Sequence, residues 1–217
     1  TSHGQDGLID DAGYVLNGSL EAEYVTYGAP IGGSNTLFGE LENAYSFGGG
    51  IGYQVTNHLR ADLTADYFSS AEFSGSTVGG PCLIGGANVV NCVSTDSDAY
   101  SALSIMANAY VDIGKFGRIT PYVGAGVGVT RIKWDGLRNS ECDASNPSNC
   151  NPVVQHGGGS GWRASGALMA GASIDVTCNL KADVGYRYRH TEGGRMFEFA
   201  GFAGPGDHGA LKTHEAR

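Results

Sequence analysis

The chain has 217 residues, enough for one all-β domain, with 36 glycines, six prolines and charged residues at only 16%. A formal net charge of −9 argues against a nucleic-acid partner. Glycine at roughly twice its usual share argues against a helical enzyme, and no apolar run of about 18 residues offers a transmembrane helix.

The chain opens Thr1-Ser2-His3-Gly4 with no hydrophobic signal region, so any signal peptide is expected to be gone already, and residues 1–13 read as a lead-in. Tyr14–Thr26 is the first predicted strand. Leu16, Leu20, Ala22 and Tyr24 share one face, and Asn17, Ser19, Glu21 and Glu23 share the other. A loop, Tyr27–Gly39, leads to a strand around Asn43–Val55, where Tyr45, Phe47, Ile51 and Tyr53 alternate with Ser46, Gly48, Gly50, Gly52 and Gln54. Thr56-Asn57-His58 turns into a third strand, Leu59–Ser70. A long loop to Asp98 follows. The fourth strand, Ala99–Ile113, sets Leu103, Ile105, Ala107, Ala109 and Val111 on one side, and a short turn, Gly114–Gly117, ends it.

The fifth strand, Ile119–Trp134, alternates Val123, Ala125, Val127 and Val129 with glycines, and a second long loop follows it. Trp162–Val176 is the sixth strand, Thr177-Cys178-Asn179 a short turn, and Leu180–His190 the seventh strand. A Gly/Phe-rich loop, Glu192–Asp207, precedes an eighth strand that begins near Ala210.

The strongest alternation lies in Leu59–Ala65 and Leu180–Tyr186, where apolar residues interleave with Arg60, Asp62, Lys181 and Asp183. A soluble sandwich turns such charges outward; a membrane barrel turns them into its lumen. Connections alternate long and short, as in antiparallel membrane barrels, and the first seven predicted strands, of 11–16 residues, are long enough for the 9–11 residues a tilted crossing needs. The faces read as outward lack charge between the strand ends, except Arg131 and Lys133 at the loop end of strand five, where lipid headgroups are expected. The expected fold is therefore all-β: an eight-stranded antiparallel transmembrane barrel with four long extracellular loops and short periplasmic turns.

Cys82 and Cys92 bracket one turn-rich segment and Cys142 and Cys150 another, which reads as two loop disulfides made in an oxidising compartment. No C-x₂-C or regular His spacing supports zinc, and Cys178 reads as an incidental thiol. Tyr24, Tyr67, Trp134, Trp162, Tyr186 and Tyr188 toward the loops, with Tyr53, Tyr110 and Tyr122 toward the turns, read as two aromatic girdles.

Three segments carry a family resemblance: Phe47–Tyr53 (FGGGIGY), Thr120–Val129 (TPYVGAGVGV) and Leu180–Tyr188 (LKADVGYRY). From about Tyr14 onward the chain resembles the small eight-stranded outer-membrane β-barrels of Gram-negative surface antigens and opacity-type porins. That resemblance implies an outer-membrane location and four surface loops, with porin and adhesin among the family's roles. Family members close on a strand with a terminal aromatic residue, whereas Leu211–Arg217 looks like the first half of such a strand, so the closing strand is expected to be incomplete.

Inward parity collects Arg60, Asp62, Asp66, Arg163, Asp175, Lys181, Asp183, Arg187 and Arg189, with Glu21, Glu23, Asp98, Asp112, Glu215 and Arg217. An eight-stranded barrel is about wide enough for its side chains to fill it, so these are expected to form a structural ion-pair network; a narrow polar pathway is the alternative. Inward glycines of strands two and five could leave room for water or for large Arg side chains. A barrel hydrolase would pair its histidine with a nearby serine, but two positions after His190 stands Glu192. His156 and His208 read as solvated loop histidines rather than haem or metal ligands. The expectation is a non-enzymatic structural barrel that contributes to outer-membrane integrity, with no cofactor. Its partners would be outer-membrane lipids, including lipopolysaccharide, and a protein at the cell surface. A narrow porin and an adhesin or receptor are the alternatives.

Overall fold

A computed structural model describes residues 6–25, 34–41, 43–76, 78–177, 180–198 and 206–217. Eight strands, seven long and the last of six residues, follow one another around a closed ring: β1 (Asp6–Val25), β2 (Ala44–Gln54), β3 (Leu59–Ser76), β4 (Ala87–Asp112), β5 (Ile119–Trp134), β6 (Ser160–Asp175), β7 (Lys181–Thr191) and β8 (Leu211–Ala216). Every neighbouring pair is antiparallel. β8 closes the ring, running from Tyr186↔Ala216 to Thr191↔Leu211 against β7 and from Tyr14↔Ala216 to Ser19↔Lys212 against β1. Closure matters physically, because a sheet with no free edge can sit in hydrocarbon without orphaned backbone groups.

Alternation in the sequence becomes alternation of environment. Along β3, Leu63, Ala65 and Tyr67 are exposed while Thr64, Asp66 and Phe68 are buried. Along β4, Leu103, Ile105, Ala107, Ala109 and Val111 are exposed while Ala102, Ser104, Met106, Asn108 and Tyr110 are buried. The outside is thus the apolar surface: Val127 is 71% exposed, Ile51 62% and Leu168 62%. No soluble monomer leaves so continuous an apolar belt in water. Charges and hydroxyls go inside, the inverted arrangement of a membrane barrel.

The connections split into two kinds. Short turns join β2 to β3, β4 to β5, and β6 to β7 at one end. At the other end the described residues of the segments predicted as long loops are largely β-sheet, and strands predicted to end at the membrane continue past it. β4 begins at Ala87, twelve residues before the predicted Ala99; at the turn end β1 also starts early, at Asp6, with Asp6–Val15 paired to β2. Ser34–Leu41 pairs with the outer half of β1 and with Phe73–Ser76 of β3. Val78–Ile84 forms a hairpin with the start of β4, turned by Gly85 and Gly86 at φ +59° and +84°. Two successive positive φ values suit a tight hairpin and exclude most other residues. Arg138–Asp143 adds to the other edge of β4 at Cys92–Ser97, and Asn146–Cys150 and Val154–Gln155 pair with it in turn. Backbone hydrogen bonding overrode the glycine- and asparagine-rich composition that reads as loop.

The glycines of β5 face inward, yet the space beside them is taken by the neighbouring strand. A Cβ on Gly126 would run into Asn108 Oδ1, and one on Gly128 into the Ile105 carbonyl oxygen. These glycines let β4 and β5 approach closely rather than leaving a water channel.

Candidate functional site

The lumen is layered from the loop end inward. Its mouth is closed by apolar side chains: Phe73, Tyr100, Ile132, Trp134, Leu137 and Met196, each at most 4% exposed. Trp134 meets Phe73 edge-on at 5.8 Å between ring centroids and Tyr100 at 5.4 Å. Trp134 was expected in the outer girdle; it points inward because its parity on β5 opposes that of Arg131 and Lys133. Tyr110 is likewise buried inside, edge-on to Tyr122 at 5.4 Å. Tyr67, Trp162, Tyr186 and Tyr53 do lie on the exposed face.

Below the cap runs a hydroxyl row. Ser165 donates to Thr130 at 2.8 Å, Thr130 donates to Ser104 at 3.0 Å, and Ser165 and Thr191 share a bond of 3.0 Å. Next comes an ionic layer. Arg187 Nη1 reaches Asp66 Oδ2 at 2.8 Å and Glu215 Oε2 at 3.5 Å. Arg189 reaches Glu215 Oε1 at 3.2 Å and Asp66 Oδ2 at 3.4 Å, and its guanidinium lies 4.5 Å from the Phe68 ring centroid. Arg217 adds a third cation on Asp66 at 3.3 Å. These charges come from β3, β7, β8 and the residue that follows it, so the ion pairs cross the lumen rather than line one wall. Buried ions keep their charge only when paired this closely.

Toward the turn end, Asn108 donates to Asp62 at 2.6 Å and Arg60 bonds Asp112 at 3.0 Å, its guanidinium lying over Tyr122 and Tyr110. The nine residues expected as one network therefore divide. Asp66, Arg187 and Arg189 meet, while Arg60 and Asp62 have other partners. Lys181 and Asp183 are exposed at the turn end, where Lys181 stands 4.0 Å from Asp175 and Lys115 reaches Asp175 at 2.6 Å. Arg163 sits by the loops, donating to the Arg195 carbonyl at 2.5 Å. Position along the barrel axis, which parity does not encode, separates these groups. Glu215 and Arg217 join the cluster, whereas Cys178 and the side chains of Glu21, Glu23, Tyr24 and His208 lie outside the described residues.

Beyond the mouth, the extended sheet is braced covalently. Cys82–Cys92 joins the Val78–Ile84 hairpin to β4, and Cys142–Cys150 joins two paired strands. Asn151 ties the two braced units together, donating to the Leu83 carbonyl at 2.6 Å. Glu141, half-buried there beside Asp96, has its carboxyl pushed up by burial, and burial pushes the His156 imidazole down. Among the described residues no cluster of His, Cys, Asp and Glu suits a metal ion.

The chain, whose ring is closed with an apolar exterior and a charged interior, matches a family model, the outer membrane protein β-barrel domain, over residues 12–216. The chain belongs to that family. Its place is the cell outer membrane, with the short turns and the extended sheet at opposite faces. An uncharacterized protein of Brucella suis biovar 1 is 40% identical over 73% of this chain, and a Rickettsia bellii protein named as a candidate adhesin is 25% identical over 68%. The chain spans 56% and 60% of those two relatives. Among solved structures, Neisserial surface protein A aligns over 95% of this chain and 97% of its own, at TM-score 0.43 and 17% identity. The attachment invasion locus protein of Yersinia pestis aligns over the same shares at TM-score 0.33 and 11% identity.

Proposed function

We propose that this outer-membrane barrel is a closed, non-enzymatic structural protein that contributes to outer-membrane integrity and holds a disulfide-braced β-sheet at the cell surface. One observation carries this reading: the buried Arg187–Asp66–Arg189–Glu215 layer crosses the lumen beneath an apolar cap. A pathway for ions would have to break paired buried charges, at several kcal/mol each. Planar-bilayer recordings test it. The purified protein should add no discrete conductance steps, and reproducible steps would replace this reading with that of a narrow porin.

A second reading, surface adhesion, draws support from the extended sheet. Leu83, Val90, Val153 and Val154 are exposed there, Val90 at 87%, above the membrane rather than against it. Exposed apolar residues on a rigid platform suit protein recognition. Replacing residues 82–92 with a short hairpin should abolish attachment of cells displaying the protein if this reading holds; unchanged attachment would remove it.

A further inference from the structure

The outward faces of β2 to β6 carry no charged side chain and no histidine from the turns up to the level of Tyr67, Leu103 and Val129. The arc of β7 and β8 departs from this. His190 on β7, with Lys212 and His214 on β8, shares the outward parity of Tyr186 and Tyr188, and all three are exposed. The register sets His190 opposite Lys212 and Tyr188 opposite His214. Away from β8 the same two rungs continue through Gly166, Val127 and Ala107 and through Leu168, Ala125 and Ala109, without a polar side chain. His190 stands as far from the start of β7 as Gly128 does from the start of β5, so both rungs lie below the level of Arg131, within the apolar belt.

A polar group that faces hydrocarbon is costly, and ionisable groups at this depth turn toward protein or water. His214 is half satisfied by its own chain. The Tyr186 hydroxyl donates to its Nδ1, and the imidazole lies by the rings of Tyr186 and Tyr188, at 6.0 and 5.3 Å between centroids. With Nδ1 accepting, the ring proton sits on Nε2, which becomes a donor. Each rung then has a donor on β8 and an acceptor on β7: His214 Nε2–H with the Tyr188 hydroxyl oxygen, and the Lys212 ammonium with the His190 imidazole. Among the described residues neither rung is closed by a hydrogen bond within the chain.

We infer that this arc packs against the same arc of a second copy of the chain, around a two-fold axis normal to the membrane. Such an axis preserves depth and sets β8 of one copy against β7 of the other, so the donors of each copy face the acceptors of its partner. The strip is complementary to itself, which a chance partner would not be. Beside the upper rung, Gly166 has nothing nearer than 3.9 Å to an added Cβ, so the surface there is open to close approach.

Photo-crosslinking of the protein in the outer membrane of intact cells tests it. A photoreactive residue replaces Leu168, exposed beside Tyr188, and in a control replaces Leu63, exposed on the opposite arc. Leu168 should give an adduct at twice the mass of the chain, and Leu63 should give none. K212L/H214L should lower the yield about tenfold, whereas H190K/K212H, which exchanges donor and acceptor across the upper rung, should keep it. An adduct with a protein of another mass, an adduct with lipid alone or no adduct would overturn the inference while leaving the closed lumen untouched. An unchanged yield in K212L/H214L that still shows the heat-dependent mobility shift would overturn it too. Should that variant not fold, Lys212→Leu alone and the wild-type adduct carry the same decision.

Discussion

Arg187 of β7 and Asp66 of β3 meet across the lumen at 2.8 Å, neither side chain more than 2% exposed. Their Cα atoms belong to strands on separate arcs of the ring, and 121 residues of sequence separate them. Asp66 is also the carboxylate on which Arg189 and Arg217 converge.

Asp66→Ala leaves three cations facing one remaining buried carboxylate, Glu215. Removing one partner of a buried pair costs about 3–5 kcal/mol, so the urea midpoint in lipid vesicles should fall well below that of the wild type. Lys115→Gln, at the exposed pair with Asp175, serves as the control and should leave the midpoint unchanged.

Trp134→Ala empties the centre of the apolar cap and should destabilise the barrel by about 3–5 kcal/mol. It should not open a conductance, since the ionic layer below remains intact. Urea unfolding and planar-bilayer recording on the same preparation check both halves.

Gly128→Ala drives a methyl into the Ile105 carbonyl, while Gly166 on β6 has nothing nearer than 3.9 Å to such a methyl. The first substitution should cost at least about 1–3 kcal/mol of overpacking strain and reduce the fraction that shows heat-dependent mobility. The second should fold like the wild type.

Removing Cys142–Cys150 with paired serines releases an eight-residue separation and should cost the local sheet about 2–3 kcal/mol of loop-closure entropy. The barrel should keep its mobility shift while protease cuts appear within 143–151 and nowhere in the membrane belt.

His156 has its pKa lowered by burial, so its neutral form is the one the folded extension favours. A depressed folded pKa gives stability that is present above the unfolded value of 6.5 and is lost as pH falls through the folded value. Glu141, raised by burial, works the other way: its contribution is full below 4.5 and declines as pH rises through its folded value. Between pH 7 and pH 5 the two effects oppose each other, so His156 is isolated by comparison: on lowering the pH, protease susceptibility of the extension should increase more in the wild type than in His156→Asn.

Much of the barrel was legible from alternation alone. Leu63, Ala65 and Tyr67 against Thr64 and Asp66 reveal which face is apolar, and the charges on the other face decide that this inside is the polar one. The outward list on β4, from Leu103 to Val111, follows the same rule. Aromatic residues were harder, because girdle membership depends on parity and depth together: Trp134 and Tyr110 have the right depth and the wrong parity. The loops failed for a different reason. Gly85-Gly86 signals a turn and forms one, whereas Asn146 and Asn149 lie in a strand; Val78–Ile84 and Arg138–Asp143 gain their hydrogen bonds from β4, a partner that local composition cannot reveal.

By itself the sequence determined the number of barrel strands, which face of the membrane strands is apolar and the compartment, because a period of two and the absence of outward charge are local properties. Tertiary structure alone decided who meets whom. Arg187 finds Asp66 while Lys181 and Asp183, on the same strand and of the same parity, stay in solvent at the turn end. Ring closure brings β3, β7 and β8 around one lumen, and depth along its axis, set by register between strands far apart in sequence, determines which of the inward charges share a layer.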